Sequence, residues 1–186
     1  TCIAVTGRPA GWCDHITRMW PVEAVVGENG AFYFRYDAKA QKVVRRYAID
    51  GEVRASHREQ LRALEADVLA TVPGVQIASD QEFRIADLAI DYAEDVGPFG
   101  EDTIEAILAR CAAHGATAKV SSIHVNTWYG DYDKSGMLME LLHHEFGVDP
   151  EEARRTALYI GDSPNDEPLF KAFPLSVGVA NIAPFM

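Results

Sequence analysis

A short apolar run, Ala157-Leu158-Tyr159-Ile160, breaks at Gly161 and is followed within a few residues by Asp162, Asn165 and Asp166. The run reads as a buried strand. Leu169, Phe170 and Phe173 place a helix behind the acidic loop. A strand, a glycine and a polar loop leading into a helix constrain the chain strongly, because open α/β sheets bind ligands in the crevice at the carboxyl ends of their strands. Two carboxylates crowded on such a loop are costly unless a proton or a cation sits between them. A hard divalent cation with oxygen ligands, most simply Mg²⁺, suits the pair. Asp and Asn also favour a turn and a helix N-cap for local reasons alone.

Two further segments share this form. Ile3-Ala4-Val5-Thr6-Gly7-Arg8 is an apolar strand ending in a hydroxyl and a glycine. A hydroxyl and a backbone N–H at a strand end can both donate to a phosphoryl oxygen. Asp133-Lys134-Ser135-Gly136 precedes an amphipathic run of Met137, Leu138, Leu141, Leu142 and Phe146. A lysine at that helix start offsets the charge of phosphate and carboxylates.

In this order the three segments resemble the second, third and fourth signature motifs of the haloacid dehalogenase superfamily. Gly161-Asp162-Ser163-Pro164-Asn165-Asp166 is similar to its Gly-Asp-x-x-Asn-Asp motif, and Thr6-Gly7-Arg8 to the Thr-Gly-Arg form of its sugar-phosphatase branches. The resemblance implies a Rossmann-like α/β core, a three-layer α/β/α with a parallel sheet, carrying an inserted α+β cap. It implies a Mg²⁺-dependent phosphatase for a small phosphorylated metabolite, most simply a sugar phosphate. Thr6, Lys134, Asp162 and Asp166 are its expected catalytic residues, and Asp162 and Asp166 its metal ligands. Gly7, Arg8 and Asn165 are its expected substrate contacts in the core. A phosphomutase of the phosphomannomutase type is the alternative, since Trp128 to Lys134 faintly resembles that family's Gly-Trp-Asp-Lys stretch. A catalytically inactive binding module is another.

The superfamily's first motif, Asp-x-Asp on the first strand, has no counterpart before Thr6. Asp131-Tyr132-Asp133 has the spacing but follows no apolar strand and abuts the lysine segment. The resemblance puts that first strand between those of Thr6 and Asp162, where its absence leaves backbone groups unpaired in mid-sheet. The expectation is therefore a nucleophilic aspartate outside this sequence, and an open slot beside Ile3–Thr6.

The rest of the chain agrees with an α/β enzyme. Of its 186 residues 48% are hydrophobic, which supports a sizeable core, and the net charge of −11 makes nucleic acid and anionic membranes poor partners. Cys2, Cys13 and Cys111 show no metal-ligand spacing and fit free thiols in a reducing cytoplasm. No apolar run approaches the roughly 20 residues of a membrane span. A monomer or homodimer acting on a small metabolite is expected.

Residues 1–30 and 131–186 carry the motifs and read as the core; residues 31–130 read as the inserted cap. Glu28-Asn29-Gly30 marks a tight turn, since Asn-Gly tolerates positive φ. In the inserted segment the pattern predicts a hairpin over 32–49, helices over 52–70 and 101–114, and strands over 75–78, 82–92 and 118–127. In the last strand Ile123 and Val125 alternate with His124 and Asn126. If the apolar face meets the two helices, His124 and Asn126 face the mouth of the site and become substrate contacts. His143-His144 has no third ligand nearby and reads as packing or surface.

Overall fold

Strand β2 (Ala24–Gly27) is apolar at every position, and each of its residues is buried. Such a run suits a strand covered on both faces. On one face Ala24 and Val26 pack against Met137, Leu138 and Leu141; on the other Val25 packs with Cys13 and Ile16. The helices responsible are α1 (Ala10–Met19) and α4 (Lys134–Phe146). A computed structural model describes residues 1–162 and 166–180 of the chain.

Strand β1 (Ile3–Val5) lies parallel to β2, while β3 (Phe32–Asp37) and β4 (Lys42–Tyr47) continue the same sheet antiparallel, in the order β1-β2-β3-β4. The hairpin expected to open the inserted segment therefore belongs to the first sheet. Its alternation is the reason: Phe32 and Phe34 pack beneath α1, and Tyr33 packs beneath α4, so the first half of β3 buries both faces as β2 does. Glu145 on α4 accepts hydrogen bonds from Tyr33 Oη at 2.8 Å and Arg35 Nε at 2.7 Å, tying helix to hairpin.

A second sheet has the order β5-β6-β8-β7 and is antiparallel throughout: β5 (Gln76–Ile77), β6 (Asp87–Asp91), β7 (Thr117–Val120) and β8 (His124–Trp128). Helices α2 (Gly51–Thr71) and α3 (Glu101–Ala113) cover one face, where Leu64, Val68, Leu88, Ile90, Ile107 and Val125 form a shared core. Two strand expectations change here. The run 118–127 splits into β7 and β8, because Ser121 Oγ bonds the backbone N–H and C=O of His124 and turns the chain. The run 82–92 shortens to β6, because Gln81–Phe83 winds into a 3₁₀ turn.

The third sheet is the parallel pair β9 (Tyr159–Gly161) and β10 (Ser176–Gly178). Helix α5 (Pro150–Thr156), capped by Asp149, precedes it, and α6 (Glu167–Ala172) joins its strands. Ala153 on α5 and Leu169 on α6 pack with α4, which therefore backs both the first and third sheets. Between β1 and β9 runs a groove of about 570 Å³, lined by Ile3, Val5, Leu138, Leu142, Leu158 and Ile160 among others. Among the described residues β1 pairs only with β2, and β9 only with β10.

Candidate active site

Thr6 leaves β1 at its carboxyl end. Its N–H donates to Val26 C=O at 2.9 Å, so the Thr6 amide is committed to the sheet. Its hydroxyl accepts the Arg8 N–H at 3.1 Å, which leaves the hydroxyl hydrogen able to donate to a ligand. Gly7 sits against Asn29, where a Cβ would come within 3.0 Å of the amide oxygen.

Lys134 begins α4 behind the N-cap Asp133, whose carboxylate accepts the Gly136 N–H at 2.7 Å. The Lys134 ammonium donates to Asp166 Oδ1 at 2.9 Å, and Asp166 Oδ2 accepts the Asp162 N–H at 3.1 Å. Lys134 and Asp166 are both buried. Burial alone would push the Asp166 carboxyl up, but the Lys134 ammonium, the Asp162 amide and the Tyr159 hydroxyl outweigh it and hold it below the ordinary carboxylate value.

Thr6, Gly7, Arg8, His124, Asn126, Lys134, Asp162 and Asp166 all line one cavity of about 200 Å³. They come from segments at opposite ends of the chain and from strands, or the loops that follow them, in all three sheets. Asn165 lies outside the described residues. The second sheet turns its polar face to this cavity: Asp87, Ala89 and Asp91 on β6 pair across from Trp128, Asn126 and His124 on β8. His124 and Asn126 are buried rather than solvated. His124 Nε2 lies 2.9 Å from Glu94 Oε2. Burial favours the neutral ring and pushes the imidazole below its ordinary pKa, against the pull of the Glu94 carboxylate.

Asp162 and Asp166 offer carboxylate oxygens on one wall, a donor set that fits a hard divalent cation. Mg²⁺ typically takes one or two carboxylates and completes its shell with water and substrate phosphate oxygens. Among the described residues no group of three or more His, Cys, Asp or Glu forms a ready-made cage.

Sequence reasoning missed a buried polar network under the cavity. Glu28 is fully buried, and its carboxylate accepts backbone N–H groups from Ala10, Ile85, Ala86 and Asp87 at 2.6–3.2 Å. Arg84 donates to Gly7 C=O at 3.0 Å, to Asp87 at 3.0 Å and to Asp80 at 3.2 Å. Asn29 and Asn126 each donate to Asp87 at 3.3 Å. One signal pointed here: Asp87 and Asp91 alternate with Leu88 and Ile90, so both carboxylates share a face that needs cationic or amide partners. The Glu-Asn-Gly turn does adopt positive φ, at 57° for Asn29 and 104° for Gly30, but it is buried rather than exposed.

No protein-family model and no curated protein matches the chain. Solved structures do. A Thermoplasma acidophilum protein superposes with a TM-score of 0.69 at 16% identity, covering 97% of this chain and 70% of that one. The C-terminal domain of Candida albicans trehalose-6-phosphate phosphatase gives 0.65 at 15% identity over 91% of this chain and 58% of that one. The sucrose-phosphatase of Synechocystis sp. PCC6803, solved with sucrose and phosphate, gives 0.63 at 16% identity over 96% and 69%. The chain shares its fold with these phosphatases and with a solved haloacid dehalogenase subclass IIB sugar phosphatase. The chain spans about 58–70% of the length of these three solved chains.

Proposed function

We propose that this chain carries most of a Mg²⁺-dependent phosphatase acting on a sugar phosphate. The observation that supports it best is the convergence of Thr6, Lys134, Asp162 and Asp166 on one cavity, with Lys134 and Asp166 2.9 Å apart. In this reading β1–β4, β9, β10, α1 and α4–α6 form the three-layer core. The second sheet with α2 and α3 forms the cap. An aspartate on a strand outside this sequence takes up the slot between β1 and β9 and attacks phosphorus; the P–O bond to the sugar breaks, the sugar leaves as the protonated alcohol, and water then hydrolyses the aspartyl-phosphate to free phosphate and the carboxylate. Thr6 donates to the transferring phosphoryl group, and Lys134 balances its charge. Asp162 and Asp166 would hold Mg²⁺, whose charge lowers the cost of bringing the phosphate beside carboxylates. His124 and Asn126 reach the cavity from the cap side and contact the leaving group, so cap closure both excludes water and selects substrate.

Phosphate release from a panel of sugar phosphates, measured with a protein in which an Asp-x-Asp strand precedes this chain, tests the reading. Turnover that requires Mg²⁺ is expected, and Asp162→Asn should raise the Mg²⁺ concentration needed for half-maximal rate by about tenfold or more, as losing an aligned charge does. Turnover that needs no divalent cation, or an Asp162→Asn protein with an unchanged Mg²⁺ requirement, contradicts it. Turnover only with a bisphosphorylated sugar present would assign a mutase instead.

A further inference from the structure

The loop that leaves β1 presents three successive backbone carbonyls, and each finds a donor. The Thr6 C=O accepts the Asn29 N–H at 3.3 Å, and the Arg8 C=O accepts the Glu28 N–H at 3.2 Å. Both donors belong to the buried turn that follows β2. The middle carbonyl, that of Gly7, takes a side chain from the second sheet's side instead: Arg84 Nη1 donates to it at 3.0 Å. The N–H of that same peptide is the Arg8 amide, which donates to Thr6 Oγ at 3.1 Å. One peptide group therefore stands between the Arg84 guanidinium and the Thr6 hydroxyl. A carbonyl bonded to a charged donor polarises its peptide and makes the N–H at the other end a stronger donor. Thr6 Oγ is thus held as an acceptor on the loop side, which leaves its own hydrogen for a ligand in the cavity.

Arg84 is not placed to touch that ligand. It borders the cavity, yet its side chain is 1% exposed. Its Nε and Nη2 both go to Asp80 at 3.2 Å, and its Nη1 is shared between Gly7 and Asp87. A planar guanidinium gripped by two carboxylates has a fixed orientation, so its bond to Gly7 is fixed as well. The far end of the loop is held from the same direction, with the Arg8 guanidinium 3.6 Å from Asp80 and 3.6 Å from Glu94.

We propose that Arg84 is a positioning residue: through the Gly7–Arg8 peptide it sets the Thr6 hydroxyl for the phosphoryl group, and so makes phosphoryl binding depend on the second sheet standing against the first. This rests on the phosphatase reading and adds to it a residue from the opposite sheet. Lysine at this position would keep the charge beside Asp87 but replace the rigid fork with a single flexible point donor.

A double-mutant cycle with Thr6 tests the assignment, read as turnover of the best sugar phosphate by the protein in which an Asp-x-Asp strand precedes this chain. Arg84→Lys should lower kcat about ten- to a hundredfold, the range for a misplaced reacting group. KM should stay within about threefold, because the sugar's own contacts are untouched. Thr6→Val keeps the shape, removes the hydroxyl and should cost about a hundredfold. In the Thr6→Val background, Arg84→Lys should cost less than about twofold more, because no hydroxyl remains to be positioned. Near-UV circular dichroism checks that each variant is folded, and Arg84→Gln, which also keeps a donor but loses the fork, runs through the same cycle if the lysine variant does not fold. A double variant that loses the product of the two single factors overturns the assignment and leaves Arg84 a pin between the sheets. A loss carried by KM overturns it too. A wild-type protein that turns over no sugar phosphate is the separate result that removes the phosphatase reading, and the proposal with it.

Discussion

Lys134 and Asp166 form a buried pair, and removing the lysine takes the positive charge away from Asp166 while leaving it the Asp162 amide and the Tyr159 hydroxyl. Lys134→Ala should therefore slow phosphoryl transfer by about two orders of magnitude, the usual loss for a preorganised charge stabiliser, read as kcat on the best sugar phosphate. A kcat within a few-fold of wild type would make the lysine a structural group only. At Glu28 the prediction concerns pH. Burial, with Asp87 nearby, pushes its carboxyl up to about 8, against the pull of the backbone amides it accepts. A carboxyl whose folded pKa lies above its unfolded value binds its proton more tightly in the folded chain. Its contribution to stability is therefore full below about pH 4.5 and lost as pH rises through about 8. Asp87 is raised in the same direction, so the two titrate together. The melting temperature should fall between about pH 5 and about pH 9, and Glu28→Gln should flatten that slope. A slope unchanged in Glu28→Gln would assign the pH dependence elsewhere.

Helix α4 is placed by a turn rather than by its own sequence alone. Gly30 sits at φ 104°, and a Cβ there would come within 2.1 Å of the Asp133 carbonyl oxygen. The N-terminus of α4, and Lys134 with it, rests directly on this glycine. Gly30→Ala should lower stability by about 1–2 kcal/mol from the left-handed backbone alone, with the displacement of Asp133 in addition. It should also reduce kcat, because Lys134 moves with Asp133. Chemical denaturation and steady-state kinetics on one preparation check both, and an unchanged kcat with reduced stability would separate the turn from the site. Helix α5 shows the converse: Asp149-Pro150 is a clear N-terminal signal, yet the sequence reading passed over it because only a short segment follows. The hairpin β3–β4 was legible as a hairpin but not as part of the first sheet, since alternation identifies a strand without naming its neighbour.

Across the whole molecule, Arg84 joins the two larger sheets. It stands just before β6 and reaches Gly7 at the end of β1, with its side chain 1% exposed. Arg84→Met keeps much of the volume but leaves Asp87, beside Glu28, without its counter-charge, while Asp80 keeps Arg8 at 3.6 Å. The expected cost is about 3–5 kcal/mol, as for other buried pairs broken from one side. Lowering the pH should recover part of it, because protonation neutralises the stranded carboxylate. Urea denaturation of wild type and variant at two pH values measures this, and a loss below about 1 kcal/mol would show that water already screens the network. No helix among the described residues is long and apolar enough to cross a membrane.

The sequence by itself determined the local chemistry. Three strand-end or helix-start segments carried the hydroxyl, the lysine and the carboxylates, because strand, turn and cap signals are short-range. His124 and Asn126 were legible as polar positions alternating with Val125, though the alternation did not say that they are buried or that Ile123 lines the same cavity. What only the tertiary structure decided was partnership. Glu28 met the amides of 85–87, Arg84 met Gly7, and Glu94 came to lie between Arg8 and His124, across separations that no local pattern encodes. Burial is the physical reason: a charge removed from water must find its partner wherever the fold supplies one, and the fold alone specifies which residue that is.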